Sequence, residues 1–184
     1  MGPYFVDEKL NRSDLTTNSK DTNVTNGVPL AQLIYIMEYS SNTCTPLAGA
    51  QVDVWHADAA GVYSDESVEN RQTFLRGYQL TDSNGLAAFK TIFSGWYSGR
   101  TVHIHVMIRT DSSSGGTTFE FTTQLFFDPA LILTVMAKAP YNTRGNPDTT
   151  NATDNIYNIE TPLSLNSASS GSGYTTSITL GVQA

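Results

Sequence analysis

Short runs of β-branched and aromatic residues recur along this chain, and residues that favour turns separate them. The segment 48–56 alternates in polarity, so that Val52 and Val54 share one face of a predicted strand. Downstream, residues 82–85 form an Asp-Ser-Asn-Gly turn signal between two further apolar runs. Hairpins at this spacing predict an all-β protein, a β-sandwich with long functional loops at one edge.

The predicted strands belong to one domain. Residues 1–27 are polar and rich in turn formers, and we expect them to wrap the domain as an arm rather than to add to its sheets. Residues 28–184 are predicted to form the single β-sandwich domain, because the chain of 184 residues is long enough for one full core. The predicted strands span 28–39, 48–56, 74–81, 86–93, 101–110, 117–127 and 174–182, with a turn at Gly115-Gly116 before the sixth.

One short helix is predicted among the strands. Asp128 is placed to cap its N-terminus, and Pro129 fits its first turn. Residues 131–139 then form the helix, which Pro140 ends. The segment 141–168 is rich in Asn, Asp and Thr and is predicted to be long and irregular.

The charge and composition of the chain exclude several classes of partner. The formal net charge is −7 and basic residues form no block, so neither nucleic acid nor an anionic membrane is an expected partner. No apolar run approaches the ~18 residues that a membrane span requires. Cys44 is the single cysteine and has no internal partner for a disulfide. The abundance of Ser, Thr, Asn and Gly favours an extracellular protein, with the cytoplasm as the alternative.

Two histidines lie two residues apart in the apolar run 102–108. Because strand side chains alternate, His103 and His105 point to one face, with Cα atoms about 7 Å apart, and Ile104 points to the other. A desolvated neutral imidazole needs a hydrogen-bond partner or a metal ion. The motif alone therefore fits two core histidines as well as two metal ligands.

Two tyrosines favour the metal interpretation. Tyr63 lies in a loop that begins with Gly61, directly after the strand 48–56, and Tyr97 lies in a Gly-Trp-Tyr-Ser-Gly turn before the histidine strand. Two phenolates and two imidazoles suit a trivalent, oxophilic metal ion, and non-haem Fe(III) is the obvious candidate. Zinc sites prefer thiolate, imidazole or carboxylate ligands.

A second metal interpretation replaces the tyrosines with a carboxylate. The two histidines with either Asp53 or Asp58 would form the two-histidine, one-carboxylate site of Fe(II) enzymes. Strand alternation turns Asp53 away from the core, which counts against it, and leaves Asp58 open.

Two polar residues are candidates for contact with a substrate bound at the metal. Arg100 stands three residues before His103, where a guanidinium would stabilise negative charge on that substrate. Gln124 lies on the next predicted strand and would face the same point by cross-strand pairing. A solvated arginine and a structural glutamine are the plain alternatives.

Several motifs, in order and at matching spacing over roughly residues 28 to 128, resemble those of the intradiol ring-cleavage dioxygenases. The opening segment Gly2-Pro3-Tyr4-Phe5 also resembles a family segment near the substrate pocket. The motifs are Asp53-Val54-Trp55-His56-Ala57-Asp58, Gly61-Val62-Tyr63-Ser64, Arg76-Gly77-Tyr78-Gln79-Leu80-Thr81-Asp82, Gly95-Trp96-Tyr97-Ser98-Gly99-Arg100 and His103-Ile104-His105-Val106.

The resemblance implies a β-sandwich enzyme that binds non-haem Fe(III) and takes a small aromatic diol and O2 as substrates. It implies cleavage of a catechol between its two hydroxylated carbons to a cis,cis-muconate, after the bound catecholate has displaced the ligand that Tyr97 resembles. The implied metal ligands are Tyr63 and His105, which resemble the equatorial ones, and Tyr97 and His103, which resemble the axial ones. The implied catalytic residues are Arg100, Tyr97 and Gln124.

The sequence also departs from the family pattern. It does not contain the helical N-terminal domain that many catechol 1,2-dioxygenases use for dimerisation and lipid binding. It therefore resembles the compact, secreted, single-domain branch, for which a monomer is the default expectation. Members of that branch often carry a second cysteine where Ala57 stands, paired with one like Cys44.

Two other functions compete with ring cleavage. An extracellular β-sandwich module that binds carbohydrate would use Trp55, Trp96 and Tyr78 as exposed stacking residues and would need no phenolate ligands. The same fold and metal ion would also serve another reaction on a non-catechol substrate, because a fold does not establish a function.

Overall fold

The protein is described here by a computed structural model that covers residues 4–17, 26–65, 72–110, 119–158, 161–167 and 172–183. The predicted turn at Gly115-Gly116 lies outside the described residues, as do Gly2 and Pro3. Nine strands in two sheets dominate the described part, with one α-helix. The predicted all-β sandwich with one short helix is therefore confirmed.

All seven predicted strands are present, with ends that differ by a few residues from the predicted ones. Two short strands were missed, of which the one at 165–167 lies in the segment that we predicted to be irregular. The strands are β1 Pro29–Ser40, β2 Thr43–Pro46, β3 Gln51–Trp55, β4 Arg76–Leu80, β5 Leu86–Ile92, β6 His103–Thr110, β7 Phe119–Phe126, β8 Leu165–Ser167 and β9 Tyr174–Val182.

The two sheets differ in how their strands pair. The first has the order β4-β3-β6-β7 and is antiparallel throughout. In the second, β1 pairs with β2 and β5 in antiparallel fashion and with β9 in parallel fashion, and β8 pairs with β9. The long β1 thus holds the second sheet together, while β3 and β6 form the centre of the first.

Strand β6 is buried on both of its faces, so side chains on either face are shielded from solvent. Ile104 and Val106 point into the core between the sheets, where they meet apolar residues such as Ile34 of β1. His103 and His105 point to the opposite face and are as fully buried as the core residues, at 1% and 0% exposure. Loops and the N-terminal arm cover that second face.

The helix α1 spans Pro129–Met136 and begins as predicted. The Leu131 backbone N–H donates to the Asp128 carboxylate at 3.0 Å, which satisfies one of the free donors of the first turn. The helix ends before the predicted residue 139, and a 3-10 turn follows at Tyr141–Arg144. Within the described ranges, no helix has the length and hydropathy to cross a membrane.

The arm joins the edges of the two sheets. The Arg12 N–H donates to the Tyr78 carbonyl of β4 at 3.0 Å, and the Leu15 N–H donates to the Lys90 carbonyl of β5 at 2.9 Å. These are isolated bridges rather than a continuous strand. Between residues 4 and 10, the arm passes over the buried face of β3 and β6, where Phe5 contacts Trp55.

Candidate metal centre

The two histidines of β6 face each other across a short gap. The Nε2 atoms of His103 and His105 lie 3.1 Å apart. The Nδ1 atom of His103 lies 2.6 Å from the Thr101 carbonyl, to which it donates, so the lone pair of this ring is on Nε2. The His105 ring stacks on Trp55, with centroids 4.8 Å apart and planes inclined by 3°. The strand and its neighbour therefore fix both rings.

Burial keeps both imidazoles neutral. Burial, together with the nearby Arg100, lowers the pKa of His103 to about 4. Burial also lowers the pKa of His105 to about 2, with His103 and Arg100 acting in the same direction. At neutral pH both rings therefore keep a lone pair that a metal ion can bind.

Two tyrosines complete the group of donors. The Tyr97 hydroxyl lies 3.2 Å from His103 Nε2. The Tyr63 ring centroid lies 5.6 Å from that of Tyr97 and 6.1 Å from that of His105. The Tyr63 hydroxyl is buried and has no hydrogen-bond partner among the described residues. The structure thus brings all four predicted ligands together.

Glycine geometry brings the two tyrosine loops into contact. Gly61 has φ +77°, and a Cβ atom there would lie 2.0 Å from the Trp96 carbonyl oxygen. The Asp58 side chain accepts hydrogen bonds from the Ala60 and Val62 N–H groups, each at 2.9 Å. The loop that carries Tyr63 is thereby pressed against the turn that carries Tyr97.

A buried arginine anchors the loop on the other side of Tyr63. Arg76 is 3% exposed, and its Nε donates to the Ser64 hydroxyl at 2.7 Å. That hydroxyl donates in turn to the Phe74 carbonyl at 2.6 Å, and Arg76 Nη1 donates to the Tyr4 carbonyl at 3.1 Å. The guanidinium therefore ties together β4, the Tyr63 loop and the arm.

The protein alone does not favour the phenolate form of either tyrosine. Burial raises the pKa of Tyr63 well above 10, and the neighbouring Tyr97 adds to this. Burial likewise raises the pKa of Tyr97, although Arg100 opposes it. A bound cation reverses this balance, because it stabilises the charged form of its ligands.

The donor set fits a trivalent iron ion better than the ions of carboxylate or thiolate sites. The described part of the chain contains no cluster of three or more His, Cys, Asp and Glu side chains. Beside the two imidazoles, the oxygen donors at this point are the hydroxyls of Tyr63 and Tyr97. The Tyr63 hydroxyl is buried and makes no hydrogen bond among the described residues. Two hard phenolate oxygens and two imidazole nitrogens suit Fe(III).

The carboxylates of the alternative iron site are engaged elsewhere. Asp53 does share the face of the histidines, but it pairs with Arg109 at 3.0 Å and accepts from Gln51 at 3.0 Å. Asp58 caps the loop at residues 58–62. The proposed grouping of two histidines with Asp53 or Asp58 is therefore not present.

The two predicted substrate-contacting residues meet at the edge of the donor group. Gln124 pairs with His105 in the register of β6 and β7, and its Oε1 accepts a hydrogen bond from Arg100 Nη2. Arg100 Nε donates to Asp154 at 2.9 Å. Asp154 was not predicted, because its segment has no periodic pattern that relates it to β6.

The aromatic residues needed by a carbohydrate-binding module are not all exposed. Trp55 is 2% exposed and lies under His105 and Phe5. Trp96 is partly buried, and its Nε1 donates to the Gly145 carbonyl at 3.1 Å. The expectation of exposed stacking residues is therefore wrong for Trp55.

Comparison with known proteins places this geometry in a family. The sequence matches the dioxygenase family over residues 1–145. The structure is similar to an intradiol ring-cleavage dioxygenase from Tetranychus urticae, with a TM-score of 0.81 and 28% identity over 99% of this chain and 90% of the other.

Bacterial proteins are also similar. The dioxygenase domain of a dioxygenase carbohydrate-binding protein fusion from Streptomyces sp. SirexAA-E has 31% identity and a TM-score of 0.71, over 99% of this chain and 94% of that one. The 3-chlorocatechol 1,2-dioxygenase of Rhodococcus opacus 1CP shares the fold at 24% identity, with a TM-score of 0.69 over 98% of this chain and 69% of the other.

Proposed function

The chain belongs to the intradiol ring-cleavage dioxygenase family and is a dioxygenase of that kind, and we propose that it uses non-haem Fe(III) to cleave a catechol-type diol. In this proposal the bond between the two hydroxylated carbons breaks and each of these carbons gains one atom of O2, which gives a cis,cis-muconate. The observation that carries the proposal is the convergence of Tyr63, Tyr97, His103 and His105, with the buried Tyr63 hydroxyl unpartnered among the described residues.

The four donors are held by three different elements, which gives them different freedom to move. His103 and His105 are fixed on the central strand β6, and Tyr63 is buried at 2% exposure. Tyr97 is only half-buried and lies in a turn that continues through Gly99 at φ +85°. Tyr97 would therefore be the donor most free to move when a diol binds, and its oxygen would be placed to take up a proton from the diol.

Bound Fe(III) would supply a Lewis-acidic centre that holds the diol as its dianion and makes its ring carbons reactive toward O2. The remaining work falls to residues of the chain. Arg100 donates to Gln124, which pairs with His105 in the register of β6 and β7, and its guanidinium would stabilise negative charge on the reacting diol. Tyr4, which stacks on Tyr63, presents aromatic surface beside the donors, which suits a planar substrate.

The first test is a visible absorption spectrum with iron content measured on the same sample. Phenolate-to-Fe(III) charge transfer gives a coloured protein, and addition of catechol is expected to shift the band to longer wavelength as the diol chelates. Oxygen uptake with catechol and the appearance of muconate absorbance then establish ring cleavage. A protein that stays colourless after reconstitution with Fe(III) would overturn the metal assignment.

Oxygen consumption by the iron-loaded protein tests the reaction separately from metal binding. If the iron-loaded protein is coloured but consumes no O2 with catechol and its ring-substituted analogues, the fold and metal serve another reaction. A carbohydrate-binding function predicts retention on a polysaccharide that is insensitive to Tyr63→Phe. We expect no such retention, because Trp55 is not available to stack on a sugar.

A further inference from the structure

Asp154 is a buried carboxylate that no part of the proposed reaction has yet used. It lies in the irregular segment after α1, and its side chain is 1% exposed. Its Oδ2 accepts hydrogen bonds from Arg100 Nε at 2.9 Å and from the Thr101 N–H at 2.8 Å. Its Oδ1 accepts from the Ile156 N–H at 2.8 Å. Both oxygens are therefore committed to fixed donors.

The contacts of Asp154 reach two members of the candidate site. Arg100 is held by Asp154 on one side and by Gln124 on the other, so its guanidinium has a defined orientation at 12% side-chain exposure. Thr101 is held through its N–H, and its carbonyl accepts the Nδ1 proton of His103. One carboxylate thus supports both the arginine and the residue that sets the tautomer of a metal ligand.

We propose that Asp154 is the positioning residue of this site, which aims the Arg100 guanidinium at the bound diol and fixes the start of the histidine strand. The proposal rests on the proposed function, because the positioning is of use only if a diol binds at the four donors. Asp154 itself touches neither the donors nor a diol bound there; it acts through Arg100 and Thr101.

The chemistry of the carboxylate explains why another polar side chain would not serve. An asparagine amide has one oxygen, so it cannot accept from Arg100 and Thr101 on one side and from Ile156 on the other. The amide NH2 group of the asparagine would face the N–H of one of these donors, and the negative charge that pairs with the Arg100 guanidinium would be lost. Burial acts against the ionised form of Asp154, but the Ile156, Thr101 and Arg100 hydrogen bonds outweigh it and lower the pKa of its carboxyl.

The test compares Asp154→Asn with Asp148→Asn in the iron-loaded protein. Asp148 belongs to the same segment and accepts from the Gly99 N–H at 3.1 Å, but it does not contact Arg100. We expect Asp154→Asn to retain iron and its visible band. Its kcat for catechol is expected to fall by about 10- to 100-fold, because a wrongly oriented Arg100 guanidinium stabilises the reacting diol less well. The KM is expected to change little, since Arg100 acts on charge that develops in the reaction. Asp148→Asn is expected to stay within about threefold of wild type.

A double-mutant cycle separates positioning from general support of the fold. In an Arg100→Ala background, Asp154→Asn is expected to lower kcat by less than it does in wild type, because only its support of Thr101 is then left to lose. A full and independent loss in that background would overturn the proposal. So would equal kcat losses in Asp154→Asn and Asp148→Asn.

A measurement on the metal-free wild type covers the case in which Asp154→Asn does not fold. The Arg100 Nε–H is expected to exchange slowly with solvent in NMR spectra, because it is buried in the pair with Asp154. Fast exchange would overturn the positioning role without any variant. Failure of the proposed function is recognised separately, as a wild-type protein that binds iron but does not cleave catechol, and it would remove the positioning role as well.

Discussion

The ring of Tyr4 stacks on the ring of Tyr63, with centroids 4.4 Å apart and planes inclined by 18°. Tyr4 is 38% exposed, and its carbonyl accepts a hydrogen bond from the buried Arg76. The N-terminal arm therefore supplies the outer wall of the candidate site and contacts the more deeply buried of the two tyrosine donors.

Tyr4→Ala is expected to lower the free energy of unfolding of the metal-free protein by about 1 kcal/mol, because an aromatic pair is worth about 0.5–1.5 kcal/mol beyond its buried area. Tyr4→Phe keeps the ring and is expected to match wild type. Urea unfolding measures both. Equal losses in the two variants would show that the hydroxyl, not the stacked ring, holds this part of the arm.

Tyr63→Phe is expected to abolish metal binding and to make the metal-free protein more stable. The Tyr63 hydroxyl is buried without a partner in the described structure, and an unsatisfied buried group costs about 1–3 kcal/mol. Its removal is therefore expected to raise the unfolding free energy of the metal-free protein by about 1 kcal/mol while iron retention is lost. Thermal unfolding and metal analysis give the two readings.

Tyr141→Phe is the matched control for Tyr63→Phe. The Tyr141 hydroxyl is also buried, but it donates to the Phe93 carbonyl at 2.7 Å and accepts from the Val28 N–H at 3.0 Å. Its removal is expected to destabilise the protein by about 1–2 kcal/mol and to leave iron binding intact. If Tyr63→Phe destabilised the protein by the same amount, this would contradict the conclusion that the buried Tyr63 hydroxyl makes no hydrogen bond.

The sequence was sufficient to predict how the two histidines are placed, because their positions depend on local rules. Alternation places His103 and His105 on one face of β6, and a strand buried on both faces leaves the imidazoles no solvent. The turn at residues 82–85 and the Asp128 cap are equally local. In each case the deciding interaction joins residues that are close in sequence.

The residues that support the donors could not be predicted in the same way. Asp154 contacts Arg100 across 54 positions, from a segment without periodicity, so no local pattern relates the two. Strand β2 was missed because all four of its residues are exposed and show no alternation of burial. The stacking of Tyr4 on Tyr63 likewise depends on the path of the arm around the domain.

Arg109→Met is expected to leave the buried Asp53 carboxylate without the guanidinium that pairs with it. Asp53 is 7% exposed, and burial raises its pKa although Arg109 pairs with it at 3.0 Å. Loss of the guanidinium is expected to cost on the order of 2 kcal/mol at pH 8, less than for a fully buried pair because Arg109 is 24% exposed. The cost is expected to shrink toward pH 5, since burial raises the pKa of Asp53 and loss of the guanidinium removes the group that opposes this shift, which favours the protonated carboxyl. Urea unfolding at the two values of pH measures it.

Asp7→Asn is the control for that variant. Asp7 pairs with the other side of the same guanidinium at 3.1 Å, but its side chain is 38% exposed. An exposed pair contributes about 0–1 kcal/mol, so this variant is expected to change stability little at either pH. A loss in Asp7→Asn as large as in Arg109→Met would show that the arm, rather than the buried carboxylate, carries the effect.

The third histidine, His56, is a structural residue with a consequence for acid stability. Its Nδ1 donates to the Ala57 carbonyl at 2.8 Å, and its Nε2 accepts from the Thr91 hydroxyl at 2.7 Å. Burial lowers its pKa to about 4. The folded state therefore holds His56 neutral at pH values where the unfolded chain, with an ordinary pKa of about 6.5, binds a proton.

His56→Gln is expected to weaken the acid sensitivity of the metal-free protein. Because the folded pKa is lowered, the stability due to neutral His56 is present above about pH 6.5 and is lost as the pH falls toward about 4. His103 and His105 have lowered pKa values for the same reason, so the variant is expected to keep the part of the pH dependence that those two residues contribute. The measurement is the free energy of unfolding in urea at pH 8 and pH 5. If the difference between the two values is the same in His56→Gln as in wild type, His56 does not titrate on unfolding.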